Sequence, residues 1–142
     1  MHELPIDPDA SGARERMRPD VLAVIALDGM LGSSARYGLA RAMPVEPERF
    51  PWATFATNVS GSFALGLLLV LLVEHGIGGR YARPFLATGV LGAYTTMSTF
   101  AVETSLLVKD GDVLLGVVYA VASVVVGLAG AVAGIRLGRA WR

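Results

Sequence analysis

Cysteine is absent from the chain, which excludes disulfides, thiol catalysis and cysteine-bound metal and leaves the redox compartment open. The two histidines, His2 and His75, stand alone, so no histidine metal site is expected. Excess charge of either sign is missing too: twelve Lys and Arg balance twelve Asp and Glu. Aromatic residues make up only 8% and there is no basic stripe, so nothing argues for nucleic acid as a partner. A phosphate-binding glycine loop, a nucleophile–base pair and a ligand cluster are all lacking, which is the pattern of a protein that is not an enzyme. Residues 1–20 contain no apolar run of the kind a secretory signal needs.

What the chain has in abundance is apolar residues. They make up 54%, and mean hydropathy is +0.56, too high for an ordinary soluble domain. Four segments reach the length of a membrane span, roughly 20 residues. Residues 21–43 are apolar apart from Asp28, Arg36 and Arg41. Residues 52–73, 85–102 and 113–135 carry no charge, and the third pattern continues past Glu103 to Val108. Pro44, Pro47 and Pro51 mark a loop, and Pro84 suits the first turn of a helix. These features predict an all-α membrane protein with four transmembrane helices, at about 21–43, 52–74, 84–108 and 112–137. Together they form one unit over 21–142, preceded by a mobile hydrophilic tail over 1–20.

The polar residues inside these segments are the informative ones. Residues 89–100 read G-V-L-G-A-Y-T-T-M-S-T-F. Hydroxyl side chains at Tyr94, Thr95, Thr96, Ser98 and Thr99 fall where the middle of a span should be. Hydrocarbon offers a loose backbone group no partner, so non-helical chain at that depth survives only inside protein or beside a water-filled path. The stretch therefore reads as a third helix broken mid-membrane and lining an ion route, with carbonyls and helix ends available as ion sites.

In the second segment Thr54, Asn58 and Ser62 are spaced by four, which puts them on one helical face over roughly 12 Å. A buried amide is costly unless bonded, so Asn58 is either glue between helices or part of a polar route, and the aligned hydroxyls favour the route. In the fourth segment Tyr119, Ser123 and Gly127 recur at the same interval, while Gly130, Gly134 and Gly138 form a small-residue row suited to tight packing. Gly29 and Gly32 permit close contact in the first. Asp28 and Arg36 are ionisable groups inside a span, and such groups are functional candidates by default. They lie near one face but roughly 12 Å apart along the axis, too far to pair directly. For Arg36 a side chain snorkelling to the interface is the alternative.

Lys and Arg number eight on the side that would hold both termini and four on the other, which favours cytoplasmic termini. Without the tail the count is five against four, close enough to balance to allow insertion both ways. Four short helices are few to enclose a polar route, so a dimer is expected.

Three motifs resemble those of the small fluoride channels of the CrcB/Fluc family. They are G-M-L-G-S-S-A-R-Y at 29–37, T-N-V-S-G-S-F at 57–63 and the 89–100 stretch, which is similar to that family's G-x-x-G-G-x-T-T-F-S-T-F signature. The resemblance runs from Val21 to the C-terminus. It implies an antiparallel, dual-topology dimer in the prokaryotic inner membrane, multi-pass, with two fluoride pores along the subunit interface. Partners would be fluoride, the lipid bilayer and a second copy or a related paralogous subunit. Asn58 would donate its amide to fluoride, and Phe100 would present its ring edge to the anion. Ser98, Thr99, Tyr119 and Ser123 would line the polar pathway with Thr54 and Ser62, Glu103 would be a pathway glutamate, and Arg36 would be the first-span arginine. The backbone carbonyls of Gly92 and Thr95, from both subunits, would hold a structural sodium ion. The chain departs from the family pattern at Met97, where the first phenylalanine of an aromatic box usually stands. It departs again at Asp28, usually glycine, and at Gly127, often a hydroxyl. Methionine is apolar and polarizable and fits similar space.

Such a composition suits fluoride. The ion is small and strongly hydrated, so a pore must replace its water with several donors while still releasing it. The core of the third segment and the second and fourth segments hold no Lys or Arg up to residue 135. Their donors are neutral: an amide, hydroxyls and an aromatic edge. A small proton-coupled multidrug exporter also uses four short helices in a dimer, but it would need Asp28 or Glu103 as an embedded carboxylate and leaves the broken stretch unexplained. A packing module would explain the glycines and not the aligned polar residues.

Overall fold

The computed structural model describes residues 19–44, 49–76 and 83–141. The tail expected over 1–20 lies outside the described residues except for Pro19 and Asp20. These two open the first helix, α1 (Pro19–Ala42). Proline at a helix start leaves no bond unmade, and Asp20 in the first turn and Arg41 in the last complement the helix dipole. Next comes α2 (Trp52–Leu69), prolonged by a π-helical turn, π1 (Val70–Glu74). Glu74 is thus still helical. A second π-helical segment, π2 (Arg83–Leu91), runs into the short α3 (Gly92–Tyr94). Two more helices follow, α4 (Met97–Lys109) and α5 (Val113–Ala140).

The α4–α5 connection shows why a tight turn falls at Gly111. Its φ of 97° is a left-handed conformation that glycine adopts without strain. The Gly111 N–H donates to the Val108 carbonyl at 3.3 Å and the Asp112 N–H to the Leu107 carbonyl at 2.9 Å. That pair of bonds closes the end of α4 and reverses the chain.

The largest packing is between α2 and α5. The small-residue row does this work. A Cβ on Gly134 would collide with the Phe63 carbonyl and lie 2.8 Å from the Leu67 nitrogen, and one on Gly138 would lie 2.9 Å from the Val70 Cβ. The contacts advance together along both chains, so the two helices run parallel with their backbones nearly touching. On the other side α1 packs on π2 and α3. There Asp28, only 2% exposed, sits against Gly89, where any added Cβ would lie 2.5 Å from the Asp28 Cβ. A carboxylate at this position is accommodated because its neighbour has no side chain. Asp28 and Arg36 do not meet.

Among the described residues the buried apolar set is small: Ala53, Val70, Leu91, Leu107 and Tyr119, with Pro51. Buried beside it are Asp28, Thr54, Thr57 and Thr96. Large apolar side chains face outward instead, with Leu114 78% and Leu128 67% exposed. A fold with polar groups inside and leucine outside is built for a solvent that is itself apolar. Two helices among the described residues are long and apolar enough to cross a membrane: Trp52–Glu74, 23 residues, and Val113–Ala140, 28 residues. Helix α1, over the first predicted segment, carries Asp20, Asp28, Arg36 and Arg41. The third is divided into helices of nine, three and 13 residues.

Replacing Gly134 with leucine forces α2 and α5 apart. Overpacking of this kind costs about 1–3 kcal/mol or more. The expected result is loss of monodisperse protein and a lower melting temperature in detergent. Gly38→Ala, at a site with nothing within 4 Å, should leave both unchanged.

Candidate functional site

Helical structure stops between α3 and α4. Thr95 (φ −75°, ψ 156°) and Thr96 (φ −147°, ψ 116°) are both extended. Extended chain strands backbone groups, and each has to find a partner. Asn58, reaching across from α2, supplies two. The Thr96 N–H donates to Asn58 Oδ1 at 2.9 Å, and Asn58 Nδ2 donates to the Thr96 carbonyl at 3.0 Å. The peptide N–H can only donate and the carbonyl only accept, so the amide orientation is fixed by its partner. The Thr96 hydroxyl caps α4, accepting the Thr99 N–H at 3.2 Å and donating to Thr99 Oγ1 at 3.0 Å, with Ser98 Oγ at 3.2 Å.

These bonds take two donors away from the helix. In an unbroken helix the Thr96 N–H would serve the Gly92 carbonyl and the Thr99 N–H would serve that of Thr95. Both donors go elsewhere. The last regular bond before the gap is from the Thr95 N–H to the Leu91 carbonyl at 3.0 Å. Among the described residues no three His, Asp or Glu side chains could share a metal ion. Uncovered carbonyls are the hard oxygen donors that suit a small cation, so the Gly92 and Thr95 backbone fits such a group.

On one side of the gap lies a partly open groove of about 350 Å³. Gly92, Thr95, Met97 and Phe100 form one wall, Asn58 and Ser62 another, and Ser123 the third. Ser123 Oγ is buried and has no hydrogen-bond partner. One Nδ2 hydrogen of Asn58 is taken by Thr96, and the amide has a second. Met97 is 76% exposed at the rim. On the other side of the gap is a smaller recess of about 240 Å³. Arg36 of α1 meets Thr54, Thr57, Thr96 and Thr99 there.

A third cluster joins α2, α4 and α5. Thr54 Oγ1 donates to Glu103 Oε1 at 2.9 Å, and the Tyr119 hydroxyl donates to Glu103 Oε2 at 2.7 Å. Tyr119 is fully buried, its ring 5.3 Å from both Phe50 and Phe100. Both carboxylate oxygens of Glu103 are therefore engaged within the chain.

The structure thus sorts the sequence-derived residues into three groups around one gap. Asn58, Ser62, Gly92, Thr95, Met97, Phe100 and Ser123 share the groove, Arg36 and Thr99 share the recess, and Thr54 links the recess to Glu103 and Tyr119. Ser98 lines neither space and is held on the Thr96 hydroxyl. The sequence reading missed the double bond pair between Asn58 and Thr96, 38 residues apart, and the contact from Thr54 to Glu103, 49 apart. It also missed the Ser60–Tyr94 hydroxyl pair at 2.9 Å and the bidentate Glu74–Arg139 ion pair at the far end of α2 and α5. The polar stripe on α2 was a visible signal for the first two, although nothing in it identified the partners.

Comparison with known proteins bears on this arrangement. The sequence model of the family described as CrcB-like protein, Camphor Resistance (CrcB), matches residues 23–135. A protein named fluoride-specific ion channel FluC 3, from Streptomyces avermitilis, is 45% identical over 126 residues, covering 89% of this chain and 62% of its own length. FluC 2 of Nocardia farcinica is 42% identical, covering 82% of this chain and 83% of its own. For FluC of Paracoccus denitrificans the identity is 42%, with 81% and 91% covered. The chain thus spans less than two thirds of the Streptomyces relative and most of the other two.

The Glu103 cluster gives a test of packing. Glu103→Gln keeps an acceptor for one hydroxyl and an amide for the other, whereas Glu103→Leu leaves both hydroxyls stranded. Unsatisfied buried polar groups cost about 1–3 kcal/mol each. The leucine variant should melt well below the glutamine variant in thermal unfolding; equal melting would mean that the two hydroxyls bond elsewhere.

Proposed function

The chain belongs to the CrcB family, and from that premise we propose that it is a fluoride-selective ion channel that lets cytoplasmic fluoride leave passively. The observation that carries this reading is the gap at Thr95 and Thr96, held by an uncharged amide beside a groove of neutral donors. The relatives named as fluoride-specific channels support the choice of ion.

Fluoride gives up its water only to a site that replaces it. The groove offers the second Asn58 N–H, the Ser62 and Ser123 hydroxyls and the Phe100 ring, whose edge carries positive charge. Pairing with Thr96 fixes the Asn58 amide in place, so its remaining N–H is aimed before the ion arrives. Ser123 Oγ, buried and unpaired, is a donor in waiting. None of these groups carries a formal charge, so the anion is held weakly enough to move on. A narrow route of this kind disfavours the larger chloride. Arg36, in the recess across the gap, would raise the local concentration of anions without touching them in the groove.

In this reading all four segments span the membrane, the third interrupted mid-membrane, in a prokaryotic plasma membrane. Two copies insert in opposite senses and form two pores. The partly open groove supports a second copy as its missing wall. The carbonyls of Gly92 and Thr95 would hold a sodium ion between the copies. That ion would supply positive charge to oxygen dipoles that have lost their helical donors, and it would be neither transported nor reactive. Hydrogen fluoride crosses membranes uncharged and dissociates at neutral pH, so the trapped anion needs a charged route out, and an inside-negative potential drives it. A proton-coupled exporter fits poorly, because both Glu103 oxygens are engaged by hydroxyls and Asp28 is packed against Gly89.

Reconstituted protein should release fluoride and retain chloride when valinomycin opens potassium-loaded vesicles, as read by ion-selective electrodes. Release no faster than from empty vesicles rejects the channel. Asn58→Ala should slow fluoride release by more than about tenfold, equivalent to roughly 1.4 kcal/mol of barrier. Phe100→Ala should impair flux more than Met97→Ala, because the Phe100 ring lies in the groove beside Tyr119 while Met97 stands at its rim; the opposite order would move the ion's path to Met97.

A further inference from the structure

We infer that Asn58 and Thr96 are positioning residues for the central cation, because together they divert the backbone N–H groups that would otherwise cover the Gly92 and Thr95 carbonyls. This rests on the sodium reading above and goes beyond it by naming the side chains that create the site. Extended chain by itself does not leave a carbonyl bare. A gap of two residues can close again by letting the next N–H groups swing back toward the helix. Here each swing is blocked by a specific competitor. The Thr96 N–H is held by Asn58 Oδ1 at 2.9 Å, and the Thr99 N–H is held by Thr96 Oγ1 at 3.2 Å.

The chemistry at each position is restrictive. The residue at 58 must accept from an N–H and donate to a carbonyl of the same residue, and a carboxamide does both at neutral charge from two separate atoms. Aspartate would accept from the N–H but set a charge against the Thr96 carbonyl. Leucine would do neither. At 96 the hydroxyl is buried, the residue being 7% exposed, so water is poorly placed to replace it. Gly92 adds the final condition. It lines the groove without a side chain, on the same wall as Thr95. Asn58 therefore has two tasks at one locus: one side of its amide shapes the cation site through Thr96, and its spare N–H faces the anion path.

The test is sodium-dependent stability of the purified full-length protein, with sodium chloride exchanged for N-methyl-D-glucamine chloride at constant ionic strength. Ligand that binds only the folded state raises the melting temperature once its concentration passes the dissociation constant, and the rise then follows the logarithm of concentration. Wild-type protein should show such a rise. Thr96→Val should move the sodium concentration at which the rise begins upward by at least about tenfold, or roughly 1.4 kcal/mol, and Asn58→Leu should do the same. Thr96→Ser, which keeps the hydroxyl, should match wild type. General destabilisation lowers melting without sodium but leaves that onset where it was. A wild-type protein indifferent to sodium overturns the sodium reading and this inference with it. A sodium response that survives unchanged in Thr96→Val overturns this inference alone. Hydrogen exchange on wild-type protein in sodium-free buffer supplies a second arm, independent of whether the variants fold: the Thr96 and Thr99 amides should exchange slowly, and rapid exchange at both overturns the diversion.

Discussion

A backbone N–H or carbonyl in apolar surroundings must have a partner, and at Thr96 that requirement is met by one side chain. Two hydrogen bonds from the Asn58 amide hold the Thr96 peptide in extended form. They replace what a neighbouring strand would supply in a sheet. Buried polar groups left alone cost about 1–3 kcal/mol each, so without the amide the extended state would be difficult to sustain among apolar helices. With it, the interruption is stable enough for other features to be built around it. The groove and the recess both border Thr96.

The surrounding packing keeps that arrangement in register. Parallel contact between α2 and α5 depends on the absence of side chains at Gly134 and Gly138, which brings Ser123 level with Asn58 and Ser62. Glu103 ties α4 to the same pair of helices through Thr54 and Tyr119. A carboxylate with both oxygens bonded is a rigid joint; with one free it would be a flexible charge near the proposed anion path. The hydroxyls therefore serve both as structure and as insulation.

Much of this was legible from residue chemistry. The hydroxyl-rich run at 89–100 made no sense as a lipid-facing helix, and the chain does leave helical geometry inside it. Asn58 stood out because an amide in an apolar helix needs a reason. The glycines on α5 showed their packing role through spacing. The location of the gap was not legible: it falls at Thr95 and Thr96 because Asn58 lies opposite, a relation between α2 and the third segment that no local pattern encodes. The Glu103 cluster was hidden for the same reason, its members being 49 and 16 residues apart. From the residues alone Asn58 was either interhelical glue or part of a polar route, and the resemblance implied an anion donor. Half of that donor capacity turns out to be committed to the backbone, since its partner atoms belong to every residue type and leave no trace in composition.

This division of labour bears on how the proposed anion route can do with Met97 in place of an aromatic ring. If selectivity came mainly from paired aromatic edges, one substitution would remove half of the contact in each copy. If it comes mainly from donors fixed before the ion enters, Met97 at the rim matters less than the rigidity of Asn58 and the burial of Ser123. Preorganised neutral donors gain from low-dielectric surroundings without binding as tightly as a fixed charge. The geometry favours this second account. Phe100 is braced by Tyr119, Tyr119 by Glu103, and Glu103 by Thr54, so the one remaining ring is the one that the hydrogen-bond network holds still.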